Sequence, residues 1–328
     1  NLNAVTNSPL LGLPTMENDR LRVEQALLGA VRTPDAYLTE IASHLISAGG
    51  KRLRPVFTIV ASQISTDGPA SDDAIAGGIS CELVHLGSLY HDDVMDDAPT
   101  RRGVPTAQHV WGNSVAILTG DLLFARASQV GSNLGQASLT LQADTFERLC
   151  LGQLHETVGP TEGQEPIEHY VQVLADKTGS LIATSGRFGA MMSGADPEIV
   201  ETMTVFGEQI GVAFQLADDI VDIVSDSDAS GKVPGTDLRE GGPTLTGLIA
   251  LATDDDPRLH ELLTRPLDDD ADHAEALKRL REHPALDSAR SEARAWADRA
   301  RETLVALPDG GARNALTALC DYVVTRTG

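Results

Sequence analysis

The stretch 79-ISCELVHLGSLYHDDVMDD-97 runs from an apolar segment straight into four aspartates packed within six positions. In its first part Ile79, Leu83, Leu86 and Tyr90 recur at three- and four-residue spacing, the period of a helix and not of a strand. The second part poses an electrostatic problem. Carboxylates this close repel one another, so either they lie in open water or something strongly positive sits among them. The pattern DDxxD, here Asp92, Asp93 and Asp96, returns at Asp218, Asp219 and Asp222, again after apolar helical sequence, 210-IGVAFQLA-217.

The same periodicity dominates the chain, as in 21-LRVEQALLGAVR-32 and 141-LQADTFERLCLGQLHETV-158, and alternating strand patterns are almost absent. Pro166, Pro197 and Pro243 fall where helices would begin. The expected fold is therefore all-α: a single large helical bundle. Residues 1–15 read as a flexible N-terminal arm and 16–328 as one domain, whose more polar last third, from about Thr253, packs as outer helices. Hydrophobic residues make up 41% of the 328 and aromatics only 4%, so the core is expected to be aliphatic.

A net charge of −23 argues against nucleic acid, which is bound through clustered Lys and Arg. Cys81, Cys150 and Cys320 are far apart and form no CxxC, which reads as reduced thiols in a cytoplasmic setting. No apolar run approaches the roughly 18 residues of a membrane span, and the first residues show no charged, then apolar, signal pattern.

On a helix, positions i and i+4 share a face about 6 Å apart along the axis. Asp92 and Asp96 form one such row and Asp218 and Asp222 another. Two rows facing each other would make a mouth suited to hard divalent cations, which take oxygen ligands and share them with phosphates. A third DDxxD, at Asp268, Asp269 and Asp272, follows a proline with little apolar sequence before it and reads as a solvated helix start.

Basic residues complement the acids. In 49-GGKRLRP-55, Lys51, Arg52 and Arg54 follow two glycines; the segment is either a plain inter-helix loop or an anion cradle. Arg101 and Arg102 follow the first acidic cluster, and guanidinium suits bidentate phosphate contact. His85 lies two helical turns before Asp92, on the same face. Lys177 and Thr178 in 176-DKTGSL-181, Gln215, and Lys232 in 231-GKVPGTDL-238 complete two candidate anion sites. One is metal-bridged, with Lys177 and Lys232. The other is metal-free, with Lys51, Arg54, His85 and Arg102.

GGKRLRP, ELVHLGSLYHDDVMDD with RRG, DKTGSL, FQLADDIVD and GKxxGxDLxEG, in this order across about residues 45 to 250, resemble the linked motifs of the trans-isoprenyl diphosphate synthases, the polyprenyl synthetase family. The resemblance implies an all-α homodimer with a central cavity. It implies a Mg²⁺-dependent prenyltransferase that condenses isopentenyl diphosphate with an allylic diphosphate, with three ions per active site. Asp92, Asp96 and Asp218 would hold the ions, supported by Asp93, Asp219 and Asp222. Arg101, Lys177, Thr178, Gln215 and Lys232 would contact the allylic diphosphate, and Lys51, Arg54, His85 and Arg102 the isopentenyl diphosphate. One departure is 240-EGGPTL-245: Gly242 stands where the family often has lysine.

In the family, bulky residues four and five positions before the first aspartate close the cavity and shorten the product. Here Gly87 and Ser88 are small, which means either an open tunnel or close helix packing. The open reading predicts an all-trans polyprenyl diphosphate of about C30 to C50. Rival expectations are a short-chain farnesyl or geranylgeranyl diphosphate synthase, a class I terpene cyclase and a non-catalytic partner subunit. The cyclase needs no isopentenyl site, and the subunit could lose aspartates that are intact here. A long product must pass to lipid, so transient membrane contact is expected.

Overall fold

A computed structural model describes residues 8–225 and 234–327. Its helices are α1 (Met16–Ala30), α2 (Ala36–Ser47), α3 (Leu53–Ser62), α4 (Asp72–Met95), α5 (Ala107–Trp111), α6 (Asn113–Asn133), α7 (Gln136–Val158) and α8 (Pro166–Leu174). They continue through α9 (Ser180–Met192), α10 (Pro197–Val224), α11 (Thr236–Glu240), α12 (Leu245–Thr253), α13 (Pro257–Leu263), α14 (Asp270–Glu282), α15 (Ala285–Thr303) and α16 (Gly311–Thr325). Among the described residues the only strands are β1 (Thr100–Arg101) and β2 (Val104–Pro105), an antiparallel pair. The all-α expectation holds.

Local chemistry sets the helix starts. The Asp35 carboxylate accepts from Tyr37 N and Leu38 N, and the Ser71 hydroxyl from Ala74 N, satisfying donors that a helix leaves open. Pro166 and Pro197 occupy first-turn positions, whereas Pro243 lies two residues before α12. The buried centre is α4, packed against α3, α6 and α9, while α10 packs against α9 and α15. Leu83, Leu86 and Phe188 have no exposed surface.

Two expectations about the chain's ends need revision. Within the segment read as a flexible arm, Pro9–Gly12 forms a 3₁₀ turn beside α16, with Leu10 fully buried and Leu13 nearly so. The last third is not uniformly peripheral: Ala289, Ala293, Ala297 and Ala300 form a buried stripe on α15, which packs along α10. Small side chains there let two long helices approach closely. Helices α11–α14 gather around a satellite core of Leu238, Leu259, Leu262, Leu263 and Leu277.

Candidate active site

The C-terminal end of α4 presents its aspartates unequally. Asp92 is half-buried and Asp96, the helix C-cap, is exposed. Desolvation, with Asp96 adding repulsion, pushes the Asp92 carboxyl up; Lys177 is the strongest influence holding it ionised. Asp93 departs from expectation. One residue on, about 100° round the helix, it is buried, 1% exposed, and Arg101 Nε donates to it at 2.5 Å. Its Oδ2 is buried without a partner. Asp93 therefore anchors Arg101 instead of extending the Asp92–Asp96 row.

The second cluster divides the same way. Asp218 is partly exposed and receives Arg326 Nη2 at 2.5 Å. Asp219 is buried, bonded by the Tyr170 hydroxyl and by Gln215 Nε2 at 3.1 Å. Burial pushes its carboxyl up to about 7, and Gln215 is tied to it. Asp222 accepts from Thr236 N and Asp237 N, both at 3.3 Å, which fixes the segment entering α11. Lys232 lies outside the described residues. A Cβ at Gly242 would meet nothing within 4 Å among the described residues.

Lys177 and Thr178 sit on a single π turn, Ala175–Gly179, between α8 and α9. Lys177 Nζ pairs with Glu156 of α7 at 2.5 Å.

The basic cluster is built around backbone strain. Arg52 (φ 48°), Asp97 (φ 49°) and Arg102 (φ 55°) are the only non-glycine residues with positive φ among those described, and all flank this site. Arg102 and Gly103 (φ 79°) form the two-residue turn of the β1–β2 hairpin, which requires such angles. The hairpin separates the arginine pair: Arg101 reaches Asp93, while Arg102 Nη1 donates to Leu45 O at 2.8 Å and Gly49 O at 2.5 Å. Gly50 (φ 145°) makes room for both guanidiniums. A Cβ there would lie 2.8 Å from Arg102 Cζ and 2.8 Å from Arg52 Nη1.

Within GGKRLRP the three bases do different work. Arg52 is buried and bonded to Glu24, Ile46 O and Gly49 O, a structural role. Lys51 is exposed, its Nζ 5.7 Å from the Phe214 ring centroid. Arg54 Nε is buried with no hydrogen-bond partner. A buried guanidinium N–H without an acceptor is costly, and an anion would remove that cost. Beside it, burial and then Arg54 and Arg102 hold His85 well below its ordinary 6.5. Burial beside these guanidiniums thus favours the neutral ring of His85 over a third positive charge.

That state has a measurable consequence. A histidine depressed in the fold but ordinary when unfolded contributes stability that is complete above about pH 6.5 and is lost as pH falls towards the folded value. Thermal melts from about pH 8 to about pH 5 should show wild-type stability falling faster than that of His85→Gln. Parallel curves would show that His85 is not held neutral.

Sequence reading missed several groups. Glu82, 1% exposed, lies among Arg52, Arg54 and Arg102, and desolvation pushes its carboxyl up. Arg326, at the end of α16, spans 108 residues to Asp218 and stacks 4.8 Å from the Phe214 ring centroid. Tyr170 reaches Asp219 across 49 residues. Only Glu82 carried a sequence signal, a lone acid inside an apolar helix. Gly87 resolves towards packing: a Cβ would lie 2.8 Å from Phe124 Cε1 and 3.0 Å from Gly120 O. A bulky residue at 87 would have to displace Phe124, so Ser88, half-buried, is the better probe of cavity depth.

Among the described residues no three His, Cys, Asp or Glu side chains form a metal cage. Asp92, Asp96 and Asp218 are instead separate hard oxygen donors. That set fits an ion that takes one or two carboxylates and completes its shell with water and phosphate, and does not fit a closed structural site. The polyprenyl synthetase family model matches residues 35–280. The chain belongs to the polyprenyl synthetase family. It is 48% identical to nonaprenyl diphosphate synthase of Mycobacterium tuberculosis over 309 residues, 94% of this chain and 92% of that one. It superposes on geranylgeranyl pyrophosphate synthase of Corynebacterium glutamicum, crystallised with calcium and isoprenyl diphosphate, with TM-score 0.85 and 41% identity over 97% of this chain and 99% of the other. Decaprenyl diphosphate synthase of Rhodobacter capsulatus gives 0.87 and 30% identity, covering 97% and 98%. This polyprenyl synthetase is thus a divalent-metal-dependent transferase of prenyl groups.

Proposed function

We propose that this synthetase condenses isopentenyl diphosphate with an allylic diphosphate, using Mg²⁺ at Asp92, Asp96 and Asp218, to give an all-trans product of about C30 to C50. The observation that carries the reading is the unpartnered, buried Arg54 Nε beside neutral His85. It supports a second anion site, apart from the aspartates, as two diphosphate substrates require.

Bound divalent ions would neutralise the allylic diphosphate and stabilise the charge that gathers on it as the C–O bond breaks. Lys177 adds fixed positive charge to the same group, and Thr178 a hydroxyl. Arg101 is aimed by Asp93. Lys51, Arg54 and Arg102 hold the isopentenyl diphosphate by charge and His85 by a neutral hydrogen bond. The two substrates are thereby oriented for reaction. The new bond joins the allylic carbon to the terminal alkene carbon; diphosphate leaves with the C–O electron pair and accepts the proton lost from the adduct. The reaction requires no Ser–His–Asp or Cys–His set.

Incubation with farnesyl and isopentenyl diphosphates should release diphosphate only when both substrates and Mg²⁺ are present. Mass spectrometry should show products of about C30 to C50, and Ser88→Phe should shift them to about C15 to C20 by filling the space one turn beneath Asp92. Wild-type products stopping at that shorter length would overturn the long-chain reading. An unchanged distribution in Ser88→Phe would place the floor elsewhere, with the Phe124–Phe146 pair (centroids 4.5 Å apart) the next boundary to vary.

The family resemblance also supports a homodimer. The exposed apolar side chains of Ile117 and Leu118 on α6, and of Leu151, Leu154 and Val158 on α7, supply a face for it. Among the described residues no helix is long and apolar enough to cross a membrane. We place the enzyme in the cytoplasm, touching membrane only to release product.

A further inference from the structure

The π turn carrying Lys177 and Thr178 is held from two sides by features that the reaction itself does not explain. Single π turns inside helices recur at functional sites because the extra residue re-aims a side chain. Such a turn has to be kept from relaxing to plain α-helix.

On one side stands α7, whose Arg148, Gly152 and Glu156 occupy one face at four-residue spacing. Arg148 Nε donates to Asp176 Oδ1 at 2.5 Å. A Cβ at Gly152 would lie 2.8 Å from Asp176 Cβ and 3.1 Å from Lys177 N, so helix and turn are in direct contact. Glu156 then meets Lys177 Nζ at 2.5 Å. On the other side stands α10. Arg148 Nη1 and Nη2 form a two-pronged pair with Glu208, at 2.6 Å and 2.8 Å. A Cβ at Gly211 would lie 2.9 Å from Gly179 Cα. Gln172 Nε2 closes the set, at 3.1 Å and 3.0 Å from the two oxygens of Asp176.

We propose that Arg148 is a positioning residue for the transfer reaction: by clamping Asp176 to Glu208 it holds the π turn in register, so that Lys177 meets the allylic diphosphate. Arg148 does not touch substrate; its effect is transmitted through Lys177. A guanidinium is needed because all three of its nitrogens are used, two on Glu208 and one on Asp176. An ammonium cannot reproduce that fork.

The inference rests on the prenyltransferase reading, and a double-mutant cycle on the full-length enzyme separates the two. A wild-type enzyme inactive with farnesyl and isopentenyl diphosphates would refute the reading, before any variant is compared. With an active wild type, Arg148→Lys should lower kcat/KM for farnesyl diphosphate about tenfold and leave KM for isopentenyl diphosphate within about twofold. Added to Lys177→Ala, it should cause less than about a twofold further loss, because the group through which it acts is gone. Independent, multiplying effects would overturn the inference, as would equal rises in both KM values or a lowered melting temperature with unchanged kinetics. Glu208→Gln keeps one acceptor of the two-pronged pair and removes the charge, and should move the same constant in the same direction by a smaller factor. If Arg148→Lys fails to fold, wild-type kinetics in Glu208→Gln would still refute the assignment.

Discussion

Alanine at Asp92 or at Asp218 is expected to lower kcat about a thousandfold or more, with little loss of fold. Each substitution removes a partly exposed oxygen donor to ions that stabilise the leaving diphosphate, and electrostatic stabilisation of this kind is commonly the largest single contribution to a rate. The loss should appear in isopentenyl incorporation at saturating substrates and should not be rescued by excess Mg²⁺. A third copy of the pattern supplies the control. Asp269 caps α14, accepting from Ala271 N at 2.8 Å and Asp272 N at 3.0 Å, and Asp272 is bound by Arg258 and Arg265. Asp269→Ala should cost about 1 kcal/mol of stability as a lost N-cap and leave the rate unchanged. Near-normal turnover in Asp92→Ala, or an equal kinetic loss in Asp269→Ala, would be incompatible with a metal site at the mouth.

Arg52→Ala should produce the largest stability loss of any single site variant, about 3–5 kcal/mol, because it breaks a buried ion-pair network from one side. Arg52 is 4% exposed and donates to Glu24 Oε1 at 2.7 Å, Glu24 Oε2 at 3.2 Å, Ile46 O at 2.9 Å and Gly49 O at 3.1 Å. Its Nη1 is also 3.8 Å from Glu82. Removing it leaves Glu82 with one guanidinium fewer. It also frees the Gly49–Gly50 loop on which Arg102 rests. The melting temperature should fall by about 5 °C or more, and affinity for isopentenyl diphosphate should fall with it. Arg52→Lys should not restore either property. A shift below about 1 °C would show the network to be dispensable.

What the sequence determined by itself was the period and the inventory. Helical spacing of apolar residues is a local property, and so is the i, i+4 relation of Asp92 to Asp96; both need only helix geometry. The five motifs were legible for the same reason, each being contiguous. Tertiary structure alone decided which member of each cluster is buried. Asp92 and Asp93 are adjacent in sequence yet differ in fate, because a step of one residue turns about 100° and the core lies on that side. Asp93 meets Arg101 there, and Asp219 meets Tyr170. The three copies of DDxxD share one pattern, but only the first two follow apolar helical sequence, which already set the third apart as a helix start. Asp269 of the third caps its own helix, a local feature, and the tertiary structure adds Arg258 of α13 and Arg265 of the following loop on Asp272. Partners such as Arg326 for Asp218, Glu208 for Arg148 and Phe124 against Gly87 come from distant segments, and only the folded packing brings them into contact.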